Sequence, residues 1–526
     1  MPIALRHMQQ CAAAAQTETM NVEDRLSPHL SATADHLPSV RRVAVLGGGI
    51  TGLSAAYFLA GARRAGTPIQ ELLIEARDRL GGSIQTERME GFLIEGGPDS
   101  FITEKPEAAA LCRALGLGDS LLGSNDAGRR TYILHRGRLV PLPDGLMLLV
   151  PTRIWPMLTT PLLPLRGKLA MFAEVFTQPP GVGNGAPNDE SVASFVGRHF
   201  GDAMTENIAD PLLAGVFGGD SAALSIRSVL PRFYEMEQEY GSLTRATLRA
   251  IRQRRARTKA SPASNAAGAA PAPTLFMTLK DGMGRMVDTL KQCLDLSRLF
   301  LGQSVRAIEP YERSAASRGY RICCQDGAVH DADAVIMTLP AYQCSRLAAA
   351  FDPSLAQSLE SIPYSSAMTV SMGYAKNVLE QLRPGFGFLV PRKERRRLLA
   401  CTFVHVKFNH RAPTAGALLR CFLGGSRDPG ALNLSDEDAA ELCRRELGHI
   451  LNLDAEPSFY RIYRWPQSMP QYEVGHSERV GAMLRRLQNH PGLFVAGNAY
   501  SGIGISDCIR TAKAAAERAL SFLSAG

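Results

Sequence analysis

Between Val43 and Leu59 the chain reads as a short apolar run, a glycine turn and an apolar segment with helical spacing. The turn is Gly47-Gly48-Gly49-Ile50-Thr51-Gly52, so Gly47, Gly49 and Gly52 fill the positions of G-x-G-x-x-G. Each glycine meets a separate demand: Gly47 the tight turn, Gly49 backbone access for a pyrophosphate, Gly52 close packing of helix on strand. Free N–H groups and the positive end of the helix dipole then face the diphosphate. Leu72 to Ile74 reads as the next strand of a β-α-β unit and ends in Glu75, whose carboxylate can accept ribose hydroxyls and disfavours a 2′-phosphate. The segment therefore predicts a dinucleotide site lined by Gly47 to Gly52, Glu75, Ala76 and Arg77.

Two further glycine segments bear on which dinucleotide it is, and the first, Gly81-Gly82, resembles the doublet with which amine-oxidase-like flavoproteins wrap FAD. Gly81-Gly82 follows the ribose-binding acid directly and permits close backbone approach; Arg77 or Arg79 can face a phosphate. Far along the chain, Phe494-Val495-Ala496-Gly497-Asn498 leads through Gly502-Ile503-Gly504-Ile505 into an alanine-rich helix. A second glycine turn at a helix N-terminus suits the flavin end of a long dinucleotide, where backbone N–H groups can stabilise charge gained on reduction. Either segment alone also reads as an ordinary turn.

At 526 residues, with 45% apolar and 21% charged, the chain predicts two or three globular domains. The net charge of +8 gathers in one run, Arg249, Arg252, Arg254, Arg255, Arg257 and Lys259, before the Ala-, Ser- and Pro-rich stretch Ala260 to Pro273. A solvated basic loop and attraction to anionic lipid are the two readings. Nucleic acid is not expected, because no aromatic residues interleave with the arginines. Ten cysteines without a CxxC pair predict reduced thiols, a cytoplasmic setting and no metal site. Residues 1–39 lack a continuous apolar core and read as a disordered leader. The nearest approach to a spanning helix, Leu146 to Leu165, is interrupted by Arg153 and four prolines.

Several motifs resemble the porphyrinogen oxidases of late haem biosynthesis, which act on protoporphyrinogen IX or coproporphyrinogen III and belong to the amine-oxidase-like flavoproteins. They are Gly81 to Thr86, Glu95 to Phe101, Leu213 to Asp220 with Leu224-Ser225, Gly385 to Pro391, Phe408 to Pro413, Arg464-Trp465-Pro466, Pro470-Gln471-Tyr472 and Gly497-Asn498. The resemblance runs from about Arg42 to the C-terminus. It implies an α/β and α+β architecture in three parts. A discontinuous Rossmann-type FAD domain would gather residues 40–104, 275–340 and 458–526. A mixed-sheet substrate domain would take 105–142 and 341–457, and a helical membrane-facing domain 143–258, with a flexible loop at 259–274.

Carried over by motif, non-covalent FAD would also contact Gly81, Gly82, Ser83, Gly97, Pro98, Asp99, Ser100, Val305, Trp465, Gly497, Asn498, Ile503, Gly504 and Ile505. The porphyrinogen would lie against Val370, Leu389 and Phe408, with Gly215, Gly218 and Gly219 letting the macrocycle approach backbone. These apolar residues also read as plain core, and the glycines as turns. Mitochondrial members carry an arginine, proposed to hold a propionate, where this chain has Thr131; Arg130 or Arg129 is the substitute available. The implied reaction is a six-electron oxidation in three two-electron steps, with oxygen as acceptor giving hydrogen peroxide. No His, Cys or carboxylate stands out as a base: His405, His410 and His476 read as structural, and Asn498 as a tuning residue beside the flavin. Ferrochelatase and a membrane surface, on the inner face of the cell membrane, are the implied partners. An amine oxidase or carotenoid desaturase is the alternative enzyme, although those carry an acid where this chain has Asn498. A flavin-stabilised scaffold is the non-enzymatic reading.

Overall fold

The computed structural model describes residues 40–147, 149–178, 189–260, 274–314, 317–374 and 378–525. The predicted leader and most of the stretch after the basic run lie outside the described residues.

A five-stranded parallel sheet forms the nucleotide side. Its order is Leu299–Phe300, Ile69–Ile74, Arg41–Leu46, Ala334–Met337, Leu493–Val495. Strand side chains alternate between faces, and both faces here are covered. Val43 and Val45 pack with Leu53, Leu59 and the closing helix Ile505–Ala525. Ala44 and Leu46 pack on the opposite side with the helices Ala341–Ala348, Pro353–Glu360 and His476–Leu487. Double coverage is why Val43 to Leu46, Leu72 to Ile74 and Ala334–Met337 are unbroken apolar runs in the sequence.

The second sheet has seven strands, ordered Phe459–Pro470, Tyr364–Tyr374, Ala417–Gly424, Ala400–Phe403, Gly387–Leu389, Thr131–His135, Arg138–Pro141. It is mixed, because Gly387–Leu389 runs parallel to Thr131–His135 while its other pairings are antiparallel. The helix Asp436–Leu451 covers one face, packing Ala439, Cys443 and Leu447 against Met368, Val370 and Cys421. Ser435 caps that helix by accepting the Asp438 N–H, and three acids fill its first turn.

Between Ile154 and Ala260 the described residues are mainly helical, as their Pro-broken apolar pattern predicts, with prolines placed in first turns at Pro211 and Pro231. The arginine run belongs to the helix Leu243–Ala260, so the basic-loop reading is corrected there; Arg249 lies over the Tyr240 ring at 5.6 Å. Phe195, Phe200, Ile208 and Phe233 form a core that also takes in Ile133 and Leu389 of the seven-stranded sheet. A buried polar knot ties this region together. His199 Nδ1 lies 3.2 Å from Glu174 and Nε2 3.0 Å from Glu237, while Glu174 accepts the Leu243 N–H at 2.6 Å. No helix among the described residues is long and apolar enough to cross a membrane. Trp155, Leu165, Leu169 and Phe176 nevertheless stand 60–79% exposed.

Candidate dinucleotide and substrate site

Four glycine segments, far apart in sequence, touch. Gly47 has φ +104°, and a Cβ on Gly52 would stand 1.8 Å from the Gly47 carbonyl oxygen, so helix and strand approach only because both are glycine. Gly81 donates its N–H to the Gly48 carbonyl at 2.8 Å, and a Cβ on Gly82 would meet the Gly49 Cα at 3.1 Å. Next in line, a Cβ on Gly97 would lie 1.8 Å from the Ser83 carbonyl oxygen. From the other side Gly497 reaches Thr51, whose hydroxyl oxygen would be 3.9 Å from an added Cβ. Gly49, Ile50, Gly82 and Pro98 remain half-buried and Ser83 exposed, so this backbone keeps access to solvent. A cradle of bare backbone with a helix N-terminus at one end is what a pyrophosphate needs.

Glu75 stands at the ribose end. Its carboxylate accepts the Gly48 N–H at 2.5 Å and the Arg77 N–H at 2.9 Å, which fixes its orientation and leaves lone pairs for further donors. Gln303 N–H donates to the Glu75 carbonyl at 3.0 Å, bringing half-buried Val305 into this neighbourhood. Ala76 and Arg77 are exposed, whereas the Arg79 guanidinium turns back onto the Gly82 carbonyl at 2.9 Å.

The closing turn is held from several sides. Tyr472 donates its hydroxyl to the Asn498 carbonyl at 2.5 Å, and burial pushes that phenol well above its ordinary range. Asp507 pairs with Lys105 at 2.6 Å and accepts the Gly504 N–H at 3.2 Å, anchoring Ile503 to Ile505 at the helix entrance. Gly502 has φ +87°, and an added Cβ would strike the Asp507 carboxylate at 2.2 Å.

Between cradle and seven-stranded sheet lies the turn Gly96 to Ser100. Its Gly96 carbonyl receives the Thr369 hydroxyl at 2.9 Å, the Trp465 indole N–H at 2.9 Å and Arg420 Nη2 at 3.1 Å. Trp465 thus meets the turn that the resemblance assigns to FAD. Thr369 and Arg420 were not anticipated. A signal for Arg420 existed, since it is the lone charge in the apolar strand Ala417–Gly424.

The candidate substrate residues divide. Gly215 is exposed, and a Cβ there would meet Leu389 at 3.1 Å, so these two adjoin. Gly218 (φ +59°) and Gly219 pack on Met469 and Gln471, and Gln471 donates to the Phe217 carbonyl at 2.9 Å. Phe408 is 2% exposed, with Lys407 and Arg411 over its ring at 5.2 and 5.3 Å. Val370 is not brought to this group: it is fully buried among residues packed on the helix Asp436–Leu451. Arg130 exposes its side chain and holds the Phe386 N–H with its carbonyl, beside half-buried Thr131. Burial holds the rings of His410 and His476 down to about 4, and lowers His405 too, so all three are neutral near pH 7. Among the described residues no cluster suited to a metal ion occurs.

Residues 50–520 match the model of the flavin containing amine oxidoreductases. The chain belongs to that family. Its cofactor is FAD, which the cradle from Gly47 to Gly52 and the turn at Gly497 fit at their two ends. Among members of the family, it is 33% identical to a coproporphyrinogen III oxidase of Bacillus subtilis, over 92% of this chain and 98% of the other. A chloroplastic protoporphyrinogen oxidase of Spinacia oleracea is 28% identical over 91% of this chain and 84% of its own length. A solved structure from Exiguobacterium sp. 255-15, provisionally named a protoporphyrinogen oxidase, superimposes with TM-score 0.76. It is 30% identical and covers 92% of this chain and 99% of that one. Cyclohexylamine oxidase from Brevibacterium oxydans shares the fold, with TM-score 0.65 at 16% identity over 92% of this chain and 100% of that one.

Proposed function

We propose that this flavoenzyme oxidises a porphyrinogen to its porphyrin in haem biosynthesis, with oxygen as the terminal acceptor giving hydrogen peroxide. The observation that carries the reading is similarity over nearly the whole chain to coproporphyrinogen III oxidases at 30–33% identity. Bound FAD supplies the electron acceptor for the substrate's C–H and N–H oxidation. The chain's residues position and shield. Gly47 to Gly52, Gly81 to Ser83, Gly97 to Ser100 and Gly497 to Ile505 hold the cofactor without covalent attachment, and Glu75 takes its ribose. Leu389 and Phe408 offer an apolar wall to the macrocycle, and the side-chain-free edge at Gly215 lets it approach. Arg130 or Arg129 pairs with a propionate in place of the arginine that Thr131 replaces. Burial makes His405, His410 and His476 weak proton acceptors, so they are poorly suited to act as bases.

The three-part division into FAD, substrate and helical domains belongs to the same reading. The exposed Trp155, Leu165, Leu169 and Phe176, beside the basic helix Leu243–Ala260, favour peripheral attachment to an anionic membrane, where a product-accepting ferrochelatase could meet the enzyme. Anaerobic mixing with coproporphyrinogen III or protoporphyrinogen IX tests the activity. Flavin absorbance should bleach, and readmitted air should yield porphyrin fluorescence; neither signal with either substrate would overturn the assignment.

A further inference from the structure

Three cations and two carboxylates are sealed behind the Gly96 to Ser100 turn. Arg411 is fully buried, with Nη1 3.1 Å from Glu95 and Nη2 donating to the Asp99 carbonyl at 3.0 Å. Lys407 Nζ lies 3.0 Å from the Asp99 carboxylate. Arg420 is 5% exposed and forms no ion pair among the described residues. Its Nη2 donates to the Gly96 and Gly97 carbonyls, and its Nε has no hydrogen-bond partner among the described residues. The cluster therefore holds one cation in excess. Burial pushes the Glu95 carboxyl up, against the Arg411 charge, so the positive excess is one with Glu95 ionised and larger without it. Asp99 stays ionised: burial opposes this, but Lys407, Arg420 and Arg411 together hold it well below the usual carboxylate range.

A buried guanidinium with no carboxylate in direct contact carries a large desolvation cost that the nearby Asp99 offsets only in part. It persists most readily where another negative charge comes close. The carbonyls that Arg420 grips belong to the turn we read as lining FAD, and the inference rests on that reading. We propose that Arg420 is a positioning residue for the cofactor, fixing the Gly96–Gly97 backbone while the cluster's excess positive charge favours the electron-rich reduced form. Thr369 and Trp465 share the mechanical task on Gly96 but carry no charge, so the two contributions are separable.

Arg420→Gln and Thr369→Val each remove a donor to the Gly96 carbonyl, and only the first removes a charge. The readout is the FAD reduction potential of each purified holoenzyme, from anaerobic photoreduction against a reference dye with no porphyrinogen present. Arg420→Gln should disfavour reduction at least tenfold, about 30 mV lower for a two-electron couple. Arg420→Lys should recover most of that shift, and Thr369→Val should change the equilibrium less than about twofold, as loss of a neutral donor predicts. Equal shifts in Arg420→Gln and Thr369→Val, or none in Arg420→Gln, overturn the proposal. If Arg420→Gln does not retain FAD, Lys407→Gln removes a charge from the same cluster and must lower the potential likewise; an unchanged value there overturns it. Because no porphyrinogen enters the measurement, failure here leaves the substrate assignment standing, and failure of that assignment leaves this result interpretable.

Discussion

The Tyr472 hydroxyl donates to the Asn498 carbonyl across 2.5 Å, with the His476 ring stacked on the phenol at a centroid distance of 4.0 Å. The preceding side chain, Gln471, grips the Phe217 carbonyl. One dipeptide thus ties the closing glycine turn to the glycine-rich helix end beside Leu389. Tyr472→Phe deletes a single bond there and keeps the stack. A hydrogen bond of this kind contributes about 1 kcal/mol, so FAD should bind roughly fivefold more weakly. Titrating apoenzyme with FAD measures it, and unaltered affinity would show that the tether does not reach the cofactor.

Two alanine substitutions in one helix should diverge. An added methyl at Gly52 would stand 1.8 Å from the Gly47 carbonyl oxygen, whereas at Gly61 nothing lies within 4 Å. Gly52→Ala should purify without flavin absorbance. Gly61→Ala should retain it and melt slightly higher, by the ~0.4–1 kcal/mol that alanine gains over glycine in a helix. A yellow Gly52→Ala protein would contradict the packing argument.

The knot around His199 predicts an alkaline loss of stability. Burial disfavours the charged ring, but hydrogen bonds with Glu174 and Glu237 outweigh it and raise the His199 pKa. A raised folded-state value means the contribution is complete below the unfolded pKa of about 6.5 and disappears as pH rises through the folded value. Melting temperature should therefore fall on the alkaline side of neutrality. His199→Gln should flatten that limb, and an equally steep limb in the variant would assign the loss elsewhere.

Gly215→Val places branched carbon against Leu389, where even one Cβ would stand at 3.1 Å. If the macrocycle passes this edge, kcat/KM should drop by about tenfold or more, the ~1–3 kcal/mol of a crowded contact, with FAD content intact. Parallel steady-state assays and flavin-to-protein ratios would reveal whether the substrate passes elsewhere.

Membrane attachment makes a separate demand on the helices from Ile154 to Phe176. Replacing Trp155 and Leu169, 75% and 60% exposed, with glutamate should abolish co-flotation with anionic vesicles. Detergent-free turnover should persist. Flotation equal to that of the unmodified enzyme would remove this surface from consideration.

The nucleotide side was largely legible in the sequence because its constraints are local. A glycine at Gly52 or an acid at Glu75 declares its purpose within a few residues of a strand end. Residues acting across the fold left fainter marks. Arg420 and Thr369 act on Gly96 from strands some 300 residues away, and only the oddity of one arginine in an apolar strand hinted at it. Val370 shows the limit of assignment by motif: strand alternation turns it away from Thr369, and burial alone does not tell one face from the other. The helix Asp436–Leu451 has a Ser435 cap but left no functional mark, because it carries no glycine turn and no candidate site residue.

The parallel sheet places Leu493–Val495 beside Ala334–Met337 and, through it, beside Arg41–Leu46. During synthesis, therefore, the first strand and its glycine turn leave the ribosome hundreds of residues before the element that completes the pocket. On the proposed reading, the contacts assigned to Gly497 through Ile505 arise only after the strand Leu493–Val495 has emerged, so the two ends of the cofactor are engaged at well-separated moments of synthesis. A chain ending upstream of Gly497 would keep the first glycine turn and lack the one proposed for the flavin end.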